Sequence, residues 1–172
     1  MSLNSIKFEP TEIAFLFKKS LVEINAEQQV LKQTKIESDQ ITIRLKYLGE
    51  NKKKTLVVVR NADAVHIPDK QLSFLTKLLA ACNLNLADVA IFNFQDHNSS
   101  EFNEILNFFN PKVVLLFDVE PAEFGLPMIF PQFQVQRYKD AVFVSSPSLD
   151  IIEPDKSLKG KLWVCLKKIF NL

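Results

Sequence analysis

Hydrophobic positions follow two different periods along the second part of the chain. The segment Leu56 to Val59 is a continuous apolar run rich in β-branched residues, which is typical of a strand buried on both faces of a sheet. Two further runs, Val89 to Phe94 and Val113 to Phe117, have a similar composition. Between these runs apolar residues recur at helical spacing, so the pattern from Thr55 onward predicts strands that alternate with helices.

Two helices are predicted between these three strands. The first spans about residues 69–82, and its inward-facing positions are Leu72, Leu75, Leu78, Leu79 and Cys82. The second has Ser99 or Ser100 as its N-cap and ends before Pro111. Its inward-facing positions are Phe102, Ile105, Leu106 and Phe109.

The last third of the chain predicts a crossover, two short strands and a long helix. The crossover carries Pro121, Pro127 and Pro131, and the strands lie near residues 134–138 and 142–144. A Ser-Pro-Ser turn and an acidic Pro-Asp helix start then lead into an amphipathic helix with the only tryptophan. This order favours an α/β fold, a three-layer α/β/α sandwich with a mostly parallel central sheet.

Residues 1–54 form an N-terminal segment whose hydrophobic pattern differs from that of the rest of the chain. Apolar residues between Ile13 and Val22 indicate an amphipathic helix, and the alternation from Ile41 to Tyr47 indicates a strand. The run Asn51 to Lys54 is interpreted as a charged turn rather than a nucleic-acid patch. Because 172 residues suit one domain, we expect a single domain in which residues 1–54 are an N-terminal extension and residues 55–172 are the core.

Composition disfavours cofactor and metal chemistry. The chain has three glycines, whereas an average protein carries about 7% Gly, and none lies in a phosphate-binding motif, so we expect no nucleotide cofactor. Cys82 and Cys165 lack CxxC spacing and are expected to be buried and reduced. His66 and His97 are isolated, so no metal site is predicted.

The location of the protein is predicted from the absence of two kinds of segment. No stretch approaches the roughly 20 apolar residues of a membrane span. Lys7 and Glu9 lie so early that the N-terminus does not have the layout of a signal peptide. We therefore expect a cytoplasmic protein that does not contact a membrane.

Three segments occur in an order that resembles the uracil-DNA glycosylase family, especially its family-4 type. The segment 141–170 reads AVFVSSPSLDIIEPDKSLKGKLWVCLKKIF, similar to the family's strand, His-Pro-Ser turn and Trp-containing helix. The segments 71–94, QLSFLTKLLAACNLNLADVAIFNF, and 106–118, LNFFNPKVVLLFD, resemble the family's helix and strand pairs. In the family the second of these strands runs toward a Gly, which Asp118 replaces here. The resemblance covers roughly residues 55–170 and implies a uracil-DNA glycosylase-like fold.

The resemblance also implies which positions once carried chemistry, and much of that chemistry is missing. Ser146 stands where the family has the catalytic His, and Ser148 closes the same turn. Asn93 occupies the place of the family's strand-end Asn, where it either recognises a base or ties down the strand end. Asp63 is the only candidate for a water-activating carboxylate in the shortened loop after the first strand, although a turn or cap role is favoured for it. We interpret these four residues as vestigial and predict no catalytic residues.

Two quantities argue against efficient glycosylase activity. Loss of the anion-stabilising His would cost roughly 3 to 4 kcal/mol in the transition state if it resembles loss of an oxyanion donor. Residues 55–154 carry six basic and twelve acidic residues, whereas proteins that bind DNA gain much of their affinity from cationic contacts to phosphates. The five lysines of the last helix permit a weak nucleic-acid contact, although a core-packed helix explains them as well.

The C-terminal segment is also similar to the ending of the psi-subunit family of bacterial DNA polymerase III. The similar elements are SSPSL at 145–149 and Leu-Trp at 162–163. This resemblance implies a non-catalytic protein-interaction module that binds clamp-loader and single-strand-binding partners, with the N-terminal 50 residues as a docking element. A divergent DNA-base glycosylase, a nucleic-acid-binding repair protein and an unrelated use of the fold stay open as alternatives.

Overall fold

The computed structural model describes residues 45–172, which belong to a unit that runs from Arg44 to Leu172. Its strands are β1 (Tyr47–Gly49), β2 (Thr55–Val59), β3 (Val89–Asn93), β4 (Val113–Phe117), β5 (Gln136–Tyr138) and β6 (Ala141–Ser146). Its α-helices are α1 (Asp69–Ala81), α2 (Phe102–Phe109), α3 (Pro121–Phe124), α4 (Leu149–Ile152) and α5 (Lys156–Phe170). The predicted α/β class is confirmed. The helix predicted at residues 13–22 and the first part of the strand predicted at residues 41–47 lie outside the described residues.

The six strands form one mixed sheet in the order β1-β3-β2-β4-β6-β5. Strands β3, β2, β4 and β6 are parallel, while β1 and β5 pair antiparallel at the two edges. Every residue of the central strand β2 is buried, as the continuous apolar run predicts. The mostly parallel sheet expected from the alternation of strands and helices is therefore confirmed.

Helices pack against the two faces of this sheet through alternate strand residues. On one face Val57, Ile91 and Leu115 belong to a buried cluster with α1, α4 and α5. The helical members of that cluster are Leu75, Leu79, Leu149, Ile152, Leu162, Cys165 and Leu166. The opposite face is aromatic: the ring centroid of Phe92 lies 5.7 Å from that of Phe109 in α2.

Two details differ from the sequence-based predictions. The sequence pattern placed the start of the core at residue 55. Because β1 pairs with β3, the sheet of the core already includes residues 47–49. The cap before α2 is Asn98 rather than Ser99 or Ser100: its side-chain oxygen accepts from the backbone N–H of Ser100 at 3.0 Å. A one-residue shift arises because Asn98 caps a 3-10 turn, Ser99–Glu101, before α2 begins.

The segment between β1 and β2 is the charged turn that the lysine run predicts. Asn51 and Lys54 have left-handed backbones, with φ of 55° and 53°. The backbone N–H groups of Asn51 and Lys52 donate to the carbonyls of Val89 and Ala87, each at 3.0 Å. The three lysine side chains are exposed, and those of Lys52 and Lys53 pair with Glu50 and Asp88.

Candidate functional site

Polar side chains collect at the carboxyl ends of the parallel strands. The chain leaves β2 for β3 on one side and later returns to β4 on the other, so the strand order reverses between β2 and β4. In open α/β sheets ligands bind beside such a reversal, outside the carboxyl ends of the strands. Two clefts lie along this edge in the described part of the chain, and each contains one of the polar residues singled out from the sequence.

The larger cleft, which we call the Asn93 cleft, has a volume of about 310 Å³. It lies at the ends of β2 and β3, and its lining mixes amides, charges and small apolar side chains: Lys46, Asn61, Ala62, Ala64, Val65, Asn93, Gln95, Asp96 and His97.

The side chain of Asn93 is fully engaged with the backbone around it. Its Nδ2 donates to the carbonyl oxygens of Asn61 and Ala64, each at 2.8 Å. Its Oδ1 accepts from the backbone N–H groups of Asn61 at 3.1 Å and Gln95 at 3.2 Å. An amide has two donors and an acceptor oxygen with two lone pairs, so these four bonds use its hydrogen-bonding capacity. Asn93 therefore ties the loop after β2 to the end of β3, the second of the two roles considered for it.

His97 in the Asn93 cleft is held by a contact within the fold, whereas the side chain of Asn61 is not fully satisfied. Nδ1 of His97 lies 2.5 Å from Oε2 of Glu101, and the imidazole ring stacks on Phe94 with centroids 6.3 Å apart. The contact with Glu101 fixes the orientation of the His97 imidazole ring. The Nδ2 of Asn61 is buried and has no hydrogen-bond partner among residues 45–172, which is a local cost in stability.

The smaller cleft, which we call the Ser146 cleft, has a volume of about 190 Å³ and lies at the ends of β2, β4 and β6. Its lining residues are Arg60, Asp118, Val119, Glu120, Glu123, Gln132, Ser145 and Ser146. Ser146 is 2% exposed, and its hydroxyl donates to the carbonyl of Leu116 at 3.3 Å. A hydroxyl held in this way shapes the end of β6, because its hydrogen is donated within the sheet.

Charge in the Ser146 cleft is predominantly negative. The guanidinium of Arg60 lies 3.1 Å from the carboxylate of Glu123, and both side chains are partly exposed. Glu120 and Glu123 also form a reciprocal capping box at the start of α3, in which Glu123 accepts from the Glu120 backbone N–H. With Asp118 the cleft carries three carboxylates and one guanidinium. A phosphate backbone approaching this cleft would be repelled.

Asp63 and Ser148 lie outside these two clefts. Asp63 is exposed in the loop after β2 and lines neither of them. Ser148 precedes α4 and caps it through its backbone, since its carbonyl accepts from Ile151 and Ile152 at 3.1 Å while its side chain makes no cap bond. Asn93 and Ser146 lie in different clefts, so the structure does not bring the four candidate residues together into one pocket.

One polar junction near this edge was not predicted from the sequence. Gln71 is 8% exposed on α1, and its Nε2 donates to Oδ2 of Asp150 on α4 at 2.5 Å. The ammonium of Lys70 lies 3.5 Å from the same carboxylate. These bonds hold the turn after β6 against α1. A hydrophobic pattern cannot reveal them, because Gln71 reads as a polar position on a helix and its partner lies 79 residues away.

The thiols and the titratable clusters offer no separate reactive centre in residues 45–172. Both cysteines are free and buried, and burial raises the pKa of Cys82 to about 11. Burial also raises the pKa of Cys165, whose thiol donates to the carbonyl of Phe133. Within the same residues no group of three or more His, Cys, Asp and Glu side chains is placed to hold a metal ion, and no helix has the length and apolar character needed to cross a membrane.

Comparison with known proteins gives no family assignment. No protein-family model matches the chain, and no curated protein matches its sequence at a significant level.

Proposed function

We propose that this chain is a non-catalytic protein with a uracil-DNA glycosylase-like, three-layer α/β/α core, and that it acts as a protein-interaction module. The observation that carries the proposal is the engagement of Asn93 and Ser146 within the fold. These residues stand where the resembling family recognises a base and stabilises the leaving anion. Here the amide is used by the loop after β2, and the hydroxyl donates to the Leu116 carbonyl.

The separation of these groups supports the same proposal. Excision of a base requires recognition of the flipped base and stabilisation of the developing anion at one place. Asn93 and Ser146 line different clefts, and Asp63 lines neither. The three carboxylates of the Ser146 cleft further disfavour a DNA strand at this edge.

Two features support the glycosylase-like scaffold. Asp118 stands at the position where the family's strand runs toward a Gly, and its φ is 58°. Glycine enters this left-handed region most readily, and aspartate is among the few other residues that tolerate it. Helices also cover both faces of the sheet, as a three-layer arrangement requires.

Within this proposal the partner is a protein of a replication or repair complex, and the specific role is that of a psi-like accessory subunit of the DNA polymerase III clamp loader. The two elements shared with that family contribute to the core, since Leu149 and Leu162 are each 1% exposed. An interaction module needs such a buried junction to present its outer surfaces rigidly.

Association with clamp-loader subunits tests this role. The full-length chain would be immobilised and exposed to the purified clamp-loader subunits of the same organism, with a denatured sample of the chain as control. We expect saturable binding that requires the folded chain. Absence of binding to every subunit would remove the psi-like role, and base release from uracil-containing oligonucleotides would favour the divergent glycosylase instead.

A further inference from the structure

We propose that the solvent-facing side of α5 docks an acidic amphipathic helix of a partner protein. This surface, the α5 face, consists of Ser157, Gly160, Lys161, Val164, Lys167 and Lys168. The proposal rests on the proposed function, because it assigns a surface and a partner chemistry to the interaction module.

Helical geometry gathers these six residues on one side of α5. Successive residues turn by about 100°, so the other five lie within about 60° of Val164 around the axis. All six are exposed, and Val164 at the centre is 63% exposed. The opposite side of the helix is used by the fold itself, since Leu162, Cys165 and Leu166 are buried in the core cluster. The α5 face is therefore left for contacts outside the described residues.

Gly160 has no explanation within the described fold. Glycine in a helix interior destabilises the helix relative to alanine, and α5 extends from Lys156 to Phe170 on both sides of it. A Cβ added at Gly160 would meet no atom within 4 Å, whereas one at Gly125 would lie 2.6 Å from the Phe102 Cβ. Bare backbone at Gly160, next to Val164 one turn later, would allow the backbone of a second helix to approach closely.

Charge specifies the chemistry of that helix. Lys161, Lys167 and Lys168 surround Val164, and none of them belongs to an ion pair formed within residues 45–172. Lys167 and Lys168 lie in the last turn, where they complement the helix dipole, but Lys161 does not. A partner helix with a small apolar ridge would pack on Val164 and Gly160, and carboxylates on both sides of that ridge would pair with the surrounding lysines.

Two other occupants fit the surface less well. A second copy related by a two-fold axis would bring the same lysines face to face, since both sides of such an interface use the same patch. A single-stranded nucleic acid gains affinity from stacking on aromatic rings and from arginine, and the α5 face offers neither. Its centre is Val164, which cannot donate to a phosphate.

Peptide binding to the full-length chain tests the proposal. The probe is a labelled synthetic helix with leucine and alanine on one side and glutamate on the flanking positions, followed by fluorescence anisotropy. The variants are Gly160→Leu, which fills the bare backbone position, and the pair Lys161→Glu and Lys168→Glu. We expect each to weaken binding by about tenfold or more. The matched control, Lys52→Glu with Lys54→Glu in the turn before β2, should bind as the unmodified chain does.

Comparison probes separate helix docking from general attraction of anions. A peptide of the same composition in scrambled order should bind at least about tenfold more weakly. Equal binding of the scrambled peptide or of an oligothymidylate would overturn the proposal, and so would an unaffected Gly160→Leu variant. A dimer of the chain that the same substitution dissolves would also contradict it. Circular dichroism of Gly160→Leu shows whether the fold is kept, which we expect because the position is open.

The two proposals can fail separately. If the α5 variants and the unmodified chain bind clamp-loader subunits equally and none binds the acidic peptide, the interaction module stands and the α5 face is wrong. If the peptide binds as described but no clamp-loader subunit associates, the α5 face stands and the psi-like role is wrong.

Discussion

Removal of the Asn93 amide should destabilise the fold. Asn93→Ala deletes four hydrogen bonds, three of them to the loop after β2 and one to Gln95. A net contribution of about 0.5 to 1.5 kcal/mol for each would sum to roughly 2 to 6 kcal/mol. Because Asn93 borders an open cleft, water can replace part of what is lost. We therefore expect a decrease of about 2 to 3 kcal/mol in the free energy of unfolding.

Asn93→Asp distinguishes the contribution of the amide donors to stability from that of the side chain's size and shape. The aspartate has nearly the same size and can still accept from the two backbone N–H groups. Once ionised it has no donor for the carbonyls of Asn61 and Ala64, each 2.8 Å from the present Nδ2, and it places negative charge beside them. We expect it to be at least as destabilising as Asn93→Ala at neutral pH.

Urea unfolding, followed by circular dichroism and Trp163 fluorescence, measures both losses. Asn107→Ala is the matched control, because Asn107 is exposed on α2 and should change stability by less than about 0.5 kcal/mol. If the free energy of unfolding of Asn93→Ala is within about 0.5 kcal/mol of that of the unmodified chain, this amide does not hold the loop after β2 to the end of β3.

Four further predictions concern the backbone and the thiols. Gly125 has φ of 106°, and a Cβ there would lie 2.8 Å from the Ser99 carbonyl, so Gly125→Ala should cost about 2 kcal/mol or more in urea unfolding. Gly160→Ala, in open space, should instead raise stability by about 0.5 to 1 kcal/mol, and a loss there would contradict the open geometry. Asp118 has a φ of 58°, so Asp118→Gly should be tolerated, whereas Asp118→Val should lower the free energy of unfolding by about 1 to 2 kcal/mol. Equal melting temperatures of the two variants in thermal unfolding would exclude a strained backbone at this position. Because burial raises the pKa of Cys82 to about 11, thiol labelling of the folded chain should be slow at pH 8 and accelerate as the pH rises, while rapid labelling at pH 8 would exclude the buried thiols.

The strands and main helices could be predicted because their signals are local. The apolar runs at β2 and β4 are continuous, and the leucines of α1 recur at helical spacing. Most of the residues that these patterns place in the core are buried in the fold. Asp155 likewise reads as a helix cap, and its carboxylate accepts from the backbone N–H groups of Ser157 and Leu158. A cap needs only the next few residues, which a sequence displays directly.

Features that depend on distant pairing were not predicted. The place of β1 in the sheet follows from pairing with β3, about 40 residues later, for which its three residues carry no signal. The distribution of Asn93 and Ser146 between two clefts depends on where β2 and β4 lie in the sheet. The hydrogen bonds of the Asn93 side chain depend on the conformation of the loop after β2. Asp63 indicates a turn in that loop, but it does not show where the carbonyls of Asn61 and Ala64 lie.

A single-turnover excision experiment decides whether the chain releases uracil from DNA. The full-length chain, in excess over end-labelled single-stranded and mismatched oligonucleotides that contain uracil, would be incubated at neutral pH and the products treated with alkali. An active uracil-DNA glycosylase serves as the positive control. We expect no cleavage beyond that of incubations without protein, because Asn93 and Ser146 lie in separate clefts and their side chains are hydrogen-bonded within the fold. Time-dependent release of uracil by the purified chain would contradict it.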